Sequence, residues 1–281
     1  MRTHHLPLIA YMRSQRAFLA LLLFTVTSFA LPGCDAKTAP TPATTLRVLA
    51  ASSLTGACTD IAAAFEAANP GTTITLSFGG SNQLRTQLEN GSPGDVFISA
   101  DTAQMDAAAS SKVIDASTRR TVGFNTLALI TPRANPANIT GLADLARPGL
   151  KLIAADKAVP AGAYTRRLLE SARRTMGDAT IAAIEANIVS FEENAAGVVA
   201  KVALNEADAG FAYASDAAGG NGPKLLVIPL PVDLQQRAEY SAAVTTRTAA
   251  APEAARFIAF LTSPDAAKLL AKRGFTPSPS P

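Results

Sequence analysis

From Leu46 onward the chain alternates short apolar runs with longer stretches whose apolar positions fall three and four apart, the pattern of strands and helices in turn. LRVLAA reads as the first strand. Ser52 and Ser53 follow as turn or cap residues, and LTGACTDIAAAFEAANP is helical until Asn69-Pro70-Gly71 stops it. TTITLSF, a turn at Gly79-Gly80-Ser81 and the helical NQLRTQLENG repeat the unit; DVFISA and an Ala-rich helix around Met105 repeat it again. A βαβαβ run predicts a parallel sheet with helices on both faces.

A second set begins after Thr121: VGFNTLALIT, LKLIAAD, a helix from Pro160 to about Met176, IVSFEEN, a helix from Ala195, AGFAYAS and KLLVIPL. The chain then returns through EYSAAVTTRT to a final helix pair between Pro252 and Arg273. This order predicts a second α/β unit inserted into the first. Lobe 1 would comprise 46–126 and 239–281 and lobe 2 would comprise 127–238, joined by two extended crossovers. A ligand in such an architecture lies between the C-terminal ends of the strands of both lobes.

Residues 1–33 break the pattern. Arg2, Arg13 and Arg16 precede the apolar run Ala17 to Ala30, the layout of a secretory signal peptide, and 14 residues fall short of the ~20 a membrane-spanning helix needs. Leu31-Pro32-Gly33-Cys34 resembles the bacterial lipobox, which implies acylation of Cys34 and export to the periplasm or the outer face of the cytoplasmic membrane. Residues 34–45, small, polar and Pro-rich, read as a flexible tether.

Composition narrows the function. Of 281 residues 48% are hydrophobic and 17% charged, unlike a disordered tail or a charge-driven nucleic-acid binder. Three of the 25 basic residues lie in the leader with no acid beside them, so the remaining 22 balance the 22 acids. Both histidines, His4 and His5, also fall there, which leaves no imidazole for a nucleophile–His relay or a His metal site. Cys58 is then the one cysteine of the folded part, set on the helix face of Ala57, Ile61 and Phe65, where burial is expected.

Four predicted helix starts follow strands and carry only small or neutral side chains: Ser53, Ser81, Pro160-Ala161 and Asn194-Ala195. The first backbone N–H groups of a helix have no partner within it, and the dipole adds roughly half a positive charge, so such ends attract an anion without Lys or Arg. Each serine, taken singly, also fits an ordinary N-cap.

AASSLT (50–55), FGGSNQL (78–84), GDVFISAD (94–101), DKAVPAGAY (156–164), EENAAGVVAKV (192–202), GFAYASDA (210–217) and RGFT (273–276) occur in that order. Together they resemble the periplasmic molybdate-binding proteins of ABC transporters. The resemblance implies a type II periplasmic-binding-protein-like α/β fold: two lobes, each a mostly parallel sheet flanked by helices, closing over molybdate or tungstate. It implies hydroxyl ligands at Ser53 and Ser81, backbone N–H donors at Ala161 and Ala195, and the Tyr213 hydroxyl completing the shell. Molybdenum would be bound only as the oxyanion, with no cofactor. The implied protein is a non-enzymatic monomer that hands its ligand to a membrane permease. Two positions depart from the resemblance: Ser52 stands where many relatives have Ala, and Gly79-Gly80 replaces a more serine-rich turn.

A shell made only of donors suits a dianion without protons, whereas a protonated oxyanion would set its own O–H against a donor, a mismatch of about 1–3 kcal/mol. Sulfate passes that filter, so a lipoprotein binding sulfate or another small oxyanion is the alternative. Glu192 and Glu193 are read as charges favourable before a helix, Asp95 and Asp101 as structural hydrogen-bond acceptors, and Arg119, Arg120, Arg166, Arg167, Arg173 and Arg174 as a basic surface. A serine nucleophile would lack a base, and a ferric site would need more phenol, imidazole or carboxylate ligands than one tyrosine.

Overall fold

The computed structural model describes residues 44–218 and 220–279. The predicted leader and Cys34 therefore lie outside the described residues.

The first apolar run forms β1 (Thr44–Ala51), followed by a 3-10 turn, Ser52–Leu54, and α1 (Thr55–Ala68). The helix proper thus begins two residues later than the position predicted at Ser53, because a tighter turn carries both serines first. Next come β2 (Thr72–Gly79), α2 (Ser81–Glu89), β3 (Val96–Ser99) and α3 (Thr102–Ser110). The long β4 (Arg120–Pro132) leads to β5 (Leu152–Ala155), α4 (Pro160–Met176), α5 (Asp178–Ala186), β6 (Ile188–Glu192), α6 (Ala195–Ala203), β7 (Ala209–Tyr213) and β8 (Leu225–Ile228). β9 (Arg237–Val244), α7 (Ala251–Leu261), α8 (Pro264–Lys272) and the short β10 (Thr276–Pro277) complete the chain. The hydrophobic pattern did not distinguish α5, which buries only Ile181 and Ile184 and so carries too short an apolar stripe to register.

The strands join in the order β2-β1-β3-β9-β4-β7-β5-β6. Pairing is parallel in β2-β1-β3 and in β7-β5-β6, as the βαβ pattern requires, but antiparallel wherever β4 and β9 take part. The sheet is therefore mixed. β4 explains why: Arg120–Thr126 pairs with β9, and from Leu127 onward the same strand pairs with β7 and β8, so one extended segment carries the chain from the first α/β set into the second. β9 brings it back alongside, and two neighbouring strands running out and home must be antiparallel.

β3, β5 and β7 are buried along their whole length, as expected of strands covered on both faces. One apolar cluster runs from Leu46, Ile61 and Phe65 through Leu129 and Ile153 to Phe211 and Phe257. Phe65 meets Phe257 and Phe260 edge-on with ring centres 5.2 and 5.4 Å apart, fastening α1 to α7. Cys58 is buried in this cluster and unpaired; burial pushes its thiol up to about 12, which keeps it protonated and inert.

Candidate ligand-binding site

The loops after β1, β2, β5 and β6 converge on one small cavity. Ser53, Ser81, Ala161, Ala195 and Tyr213 all line it, together with Ser52, Gly79, Gly80, Ala100, Val159 and Pro160. The cavity is small, with room for about one water.

Local sequence accounts for what each wall offers. Gly80 is the N-cap of α2, so Ser81 is its first helical residue and makes no capping bond. The Ser81 oxygen instead accepts the Ala100 backbone N–H at 3.0 Å, which leaves the Ser81 proton free to be given elsewhere. Ser53 likewise caps nothing: its hydroxyl meets that of Tyr240 at 2.8 Å. The N-cap alternative for both serines is therefore replaced by a different set of partners. Ser52 also faces the cavity, and its oxygen accepts the Ala196 N–H at 3.4 Å.

On the opposite wall, Pro160 opens α4. Proline has no N–H, so the first donor this helix can present is that of Ala161. Asn194 caps α6 by accepting the Gly197 N–H at 3.0 Å, which leaves the Ala195 N–H outside the cap. Gly162 must be glycine for this packing, since a Cβ there would lie 2.0 Å from the Asp156 carbonyl oxygen. The close fit presses the start of α4 onto the end of β5.

Tyr213, the last residue of β7, is 1% exposed, and its hydroxyl is one of two buried side-chain polar atoms without a hydrogen-bond partner among the described residues; the other is Asn82 Oδ1. An unpaired buried hydroxyl costs about 1–3 kcal/mol. Burial holds the Tyr213 phenol well above its ordinary pKa, so it keeps its proton and can donate it.

No carboxylate, lysine or arginine lines the cavity. Glu192 is tied to Lys201 at 2.6 Å and to Ser190, while Glu193 accepts from Gln83 Nε2 at 3.0 Å. Asp95 accepts the Arg47 N–H and the Thr248 hydroxyl, and Asp101 caps α3. Arg119 pairs with Asp106, and Arg173 with Glu170, Asp178 and Glu185. Among the described residues no cluster of three or more His, Cys, Asp or Glu side chains is placed to hold a metal cation. The cavity presents donors to whatever enters it and suits an anion.

Sequence reasoning missed Ala100 and Tyr240. Both sit in strand patterns that read as core, and nothing in the sequence shows that the Ala100 N–H meets Ser81 or that the Tyr240 hydroxyl meets Ser53.

An α/β fold whose loops converge on a small cavity is that of a solute-binding protein, and the family profile of bacterial extracellular solute-binding proteins matches residues 46–276. This chain belongs to that family. Among its relatives, the molybdate-binding protein ModA of Mycobacterium tuberculosis H37Rv is 37% identical over 228 residues, 81% of this chain and 83% of its own. ModA of Escherichia coli K12 is 34% identical over 239 residues, 82% of this chain and 88% of its own. The periplasmic molybdate-binding protein of Azotobacter vinelandii superposes with a TM-score of 0.71 at 21% identity, over 83% of this chain and all of the other. The sulfate-binding protein SubI of M. tuberculosis superposes with 0.74 at 17% identity, over 83% of this chain and 87% of the other. These last two establish the shared fold.

Proposed function

We propose that this chain binds molybdate, and tungstate with it, through the Ser53 and Ser81 hydroxyls, the Ala161 and Ala195 N–H groups and the Tyr213 hydroxyl. The observation that carries the reading is the Tyr213 hydroxyl, buried and without a partner in a cavity lined by neutral donors. A tetrahedral dianion accepts at every oxygen, and hydrogen bonds to a charged acceptor are about twice as strong as neutral ones. The helix ends of α2, α4 and α6 add their partial positive charge. Relatives named as molybdate-binding proteins at 37% and 34% identity support the choice of anion.

Closure belongs to the same proposal. Lobes at 46–126 with 239–281 and at 127–238 each supply part of the shell, so the ligand favours the closed arrangement and shifts the population toward it. A permease of an ABC transporter would read that closed state and accept the ion. The exported monomer would be held at the membrane by a lipid on Cys34, with no cofactor and no nucleic-acid partner.

Titration calorimetry of the purified protein with molybdate, tungstate and sulfate tests the reading. Molybdate and tungstate are expected to bind alike and sulfate at least about 100-fold more weakly, a gap of about 2.7 kcal/mol. Equal or tighter sulfate binding would overturn the choice of anion.

A further inference from the structure

We infer that Tyr240 is a positioning residue that fixes the direction of the Ser53 hydroxyl, so that Ser53 gives its proton to the bound anion; this rests on the molybdate reading of the cavity. Tyr240 does not line the cavity. It lies behind Ser53, fully buried in β9, with its ring edge-on to Tyr213 at 6.0 Å and to Phe275 at 5.3 Å. Two residues before Phe275, the Arg273 guanidinium forks onto Asp60 at 2.8 and 2.9 Å.

The two hydroxyls stand 2.8 Å apart, and either could donate to the other. A dianion in the cavity carries no proton and takes that of Ser53, so on the molybdate reading Tyr240 donates to the Ser53 oxygen. With its oxygen held from behind by Tyr240, Ser53 is turned to present its one proton to the cavity. The Ser81 oxygen is held in the same manner by the Ala100 N–H, so both serines of this wall are turned to donate.

The test is a double-mutant cycle read by molybdate affinity, with hydrogenphosphate measured by competition. Tyr240→Phe keeps the ring and is expected to weaken molybdate about tenfold, the loss of about one charged-acceptor bond. In a Ser53→Ala background the same change is expected to cost less than about twofold, because no hydroxyl remains to orient. Hydrogenphosphate is expected to gain on molybdate in Tyr240→Phe, since a freed Ser53 can turn its oxygen to the ligand's proton. A loss of equal size in both backgrounds, or equal weakening of both anions, overturns the inference. If Tyr240→Phe does not fold, Tyr240→Leu, which also lacks the hydroxyl, is read in the same two backgrounds. Its molybdate loss must then be larger with Ser53 present than with Ala. Equal losses overturn the inference, whereas failure of the unmodified protein to bind molybdate overturns both it and the reading beneath it.

Discussion

Gly80 lies so close to Glu193 that a Cβ on residue 80 would stand 2.5 Å from the Glu193 carbonyl oxygen. The two residues belong to opposite walls of the cavity, one capping α2 and the other just before α6, and Gln83 bridges to the Glu193 carboxylate beside them. The glycine that replaces a serine-rich turn thus lets the walls meet. Gly80→Ala is expected to push them apart and weaken molybdate by at least about tenfold, because a backbone carbonyl cannot swing aside as a side chain can. Calorimetry on the variant checks this, and unchanged affinity would show that the walls need not meet to hold the ion.

Ligand and cap roles separate cleanly for the two serines. Ser53→Ala, Ser81→Ala and Tyr213→Phe each remove one donor to a charged acceptor, worth about 1.5–3 kcal/mol, so affinity should fall roughly 10- to 150-fold. Loss of a helix cap would instead cost about 1 kcal/mol of unfolding stability and leave affinity alone. Titration and denaturation of the unliganded variants distinguish the outcomes, and Tyr213→Phe should be the mildest on stability because it removes a hydroxyl that has no partner.

Asp216, beside the end of β7, accepts the Tyr213 N–H at 2.7 Å, and burial pushes its carboxyl up to about 7. The folded state therefore keeps a proton that the unfolded chain releases near the ordinary value of 3.8. Stability contributed by this group is present below about pH 4 and is lost as pH rises toward 7. Asp216→Asn keeps the acceptor for Tyr213 and should flatten that part of the stability–pH curve, measured by chemical denaturation of both proteins at several pH values. An unchanged slope would place the titrating group elsewhere.

Anchoring is tested on the precursor. Cys34→Ser is expected to abolish membrane association in cell fractionation, since the acyl chain has no other attachment point in the lipobox. Continued membrane association would show that LPGC does not serve as the anchor site.

Apart from α5 and the short β10, periodicity alone determined the order of strands and helices, because burial of one helix face or of both strand faces is written into the spacing of apolar residues. It also marked the helix starts at Ser81, Pro160-Ala161 and Asn194-Ala195, since strand-to-helix turns with small residues are local features. Tyr213 was named only through resemblance to a family: within AGFAYAS its apolar neighbours read as core, and nothing local shows a hydroxyl left without a partner. Tertiary structure alone decided what each group does with its proton. Ser81 faces Ala100 nineteen residues away and Ser53 faces Tyr240 across 187 positions, so the bonds that turn these hydroxyls toward the cavity depend on strand order, not on spacing. The antiparallel pairing at β4 and β9 has the same origin. Local pattern says that a segment is extended, but only the path of the whole chain, out through one strand and home through its neighbour, fixes the direction in which they run.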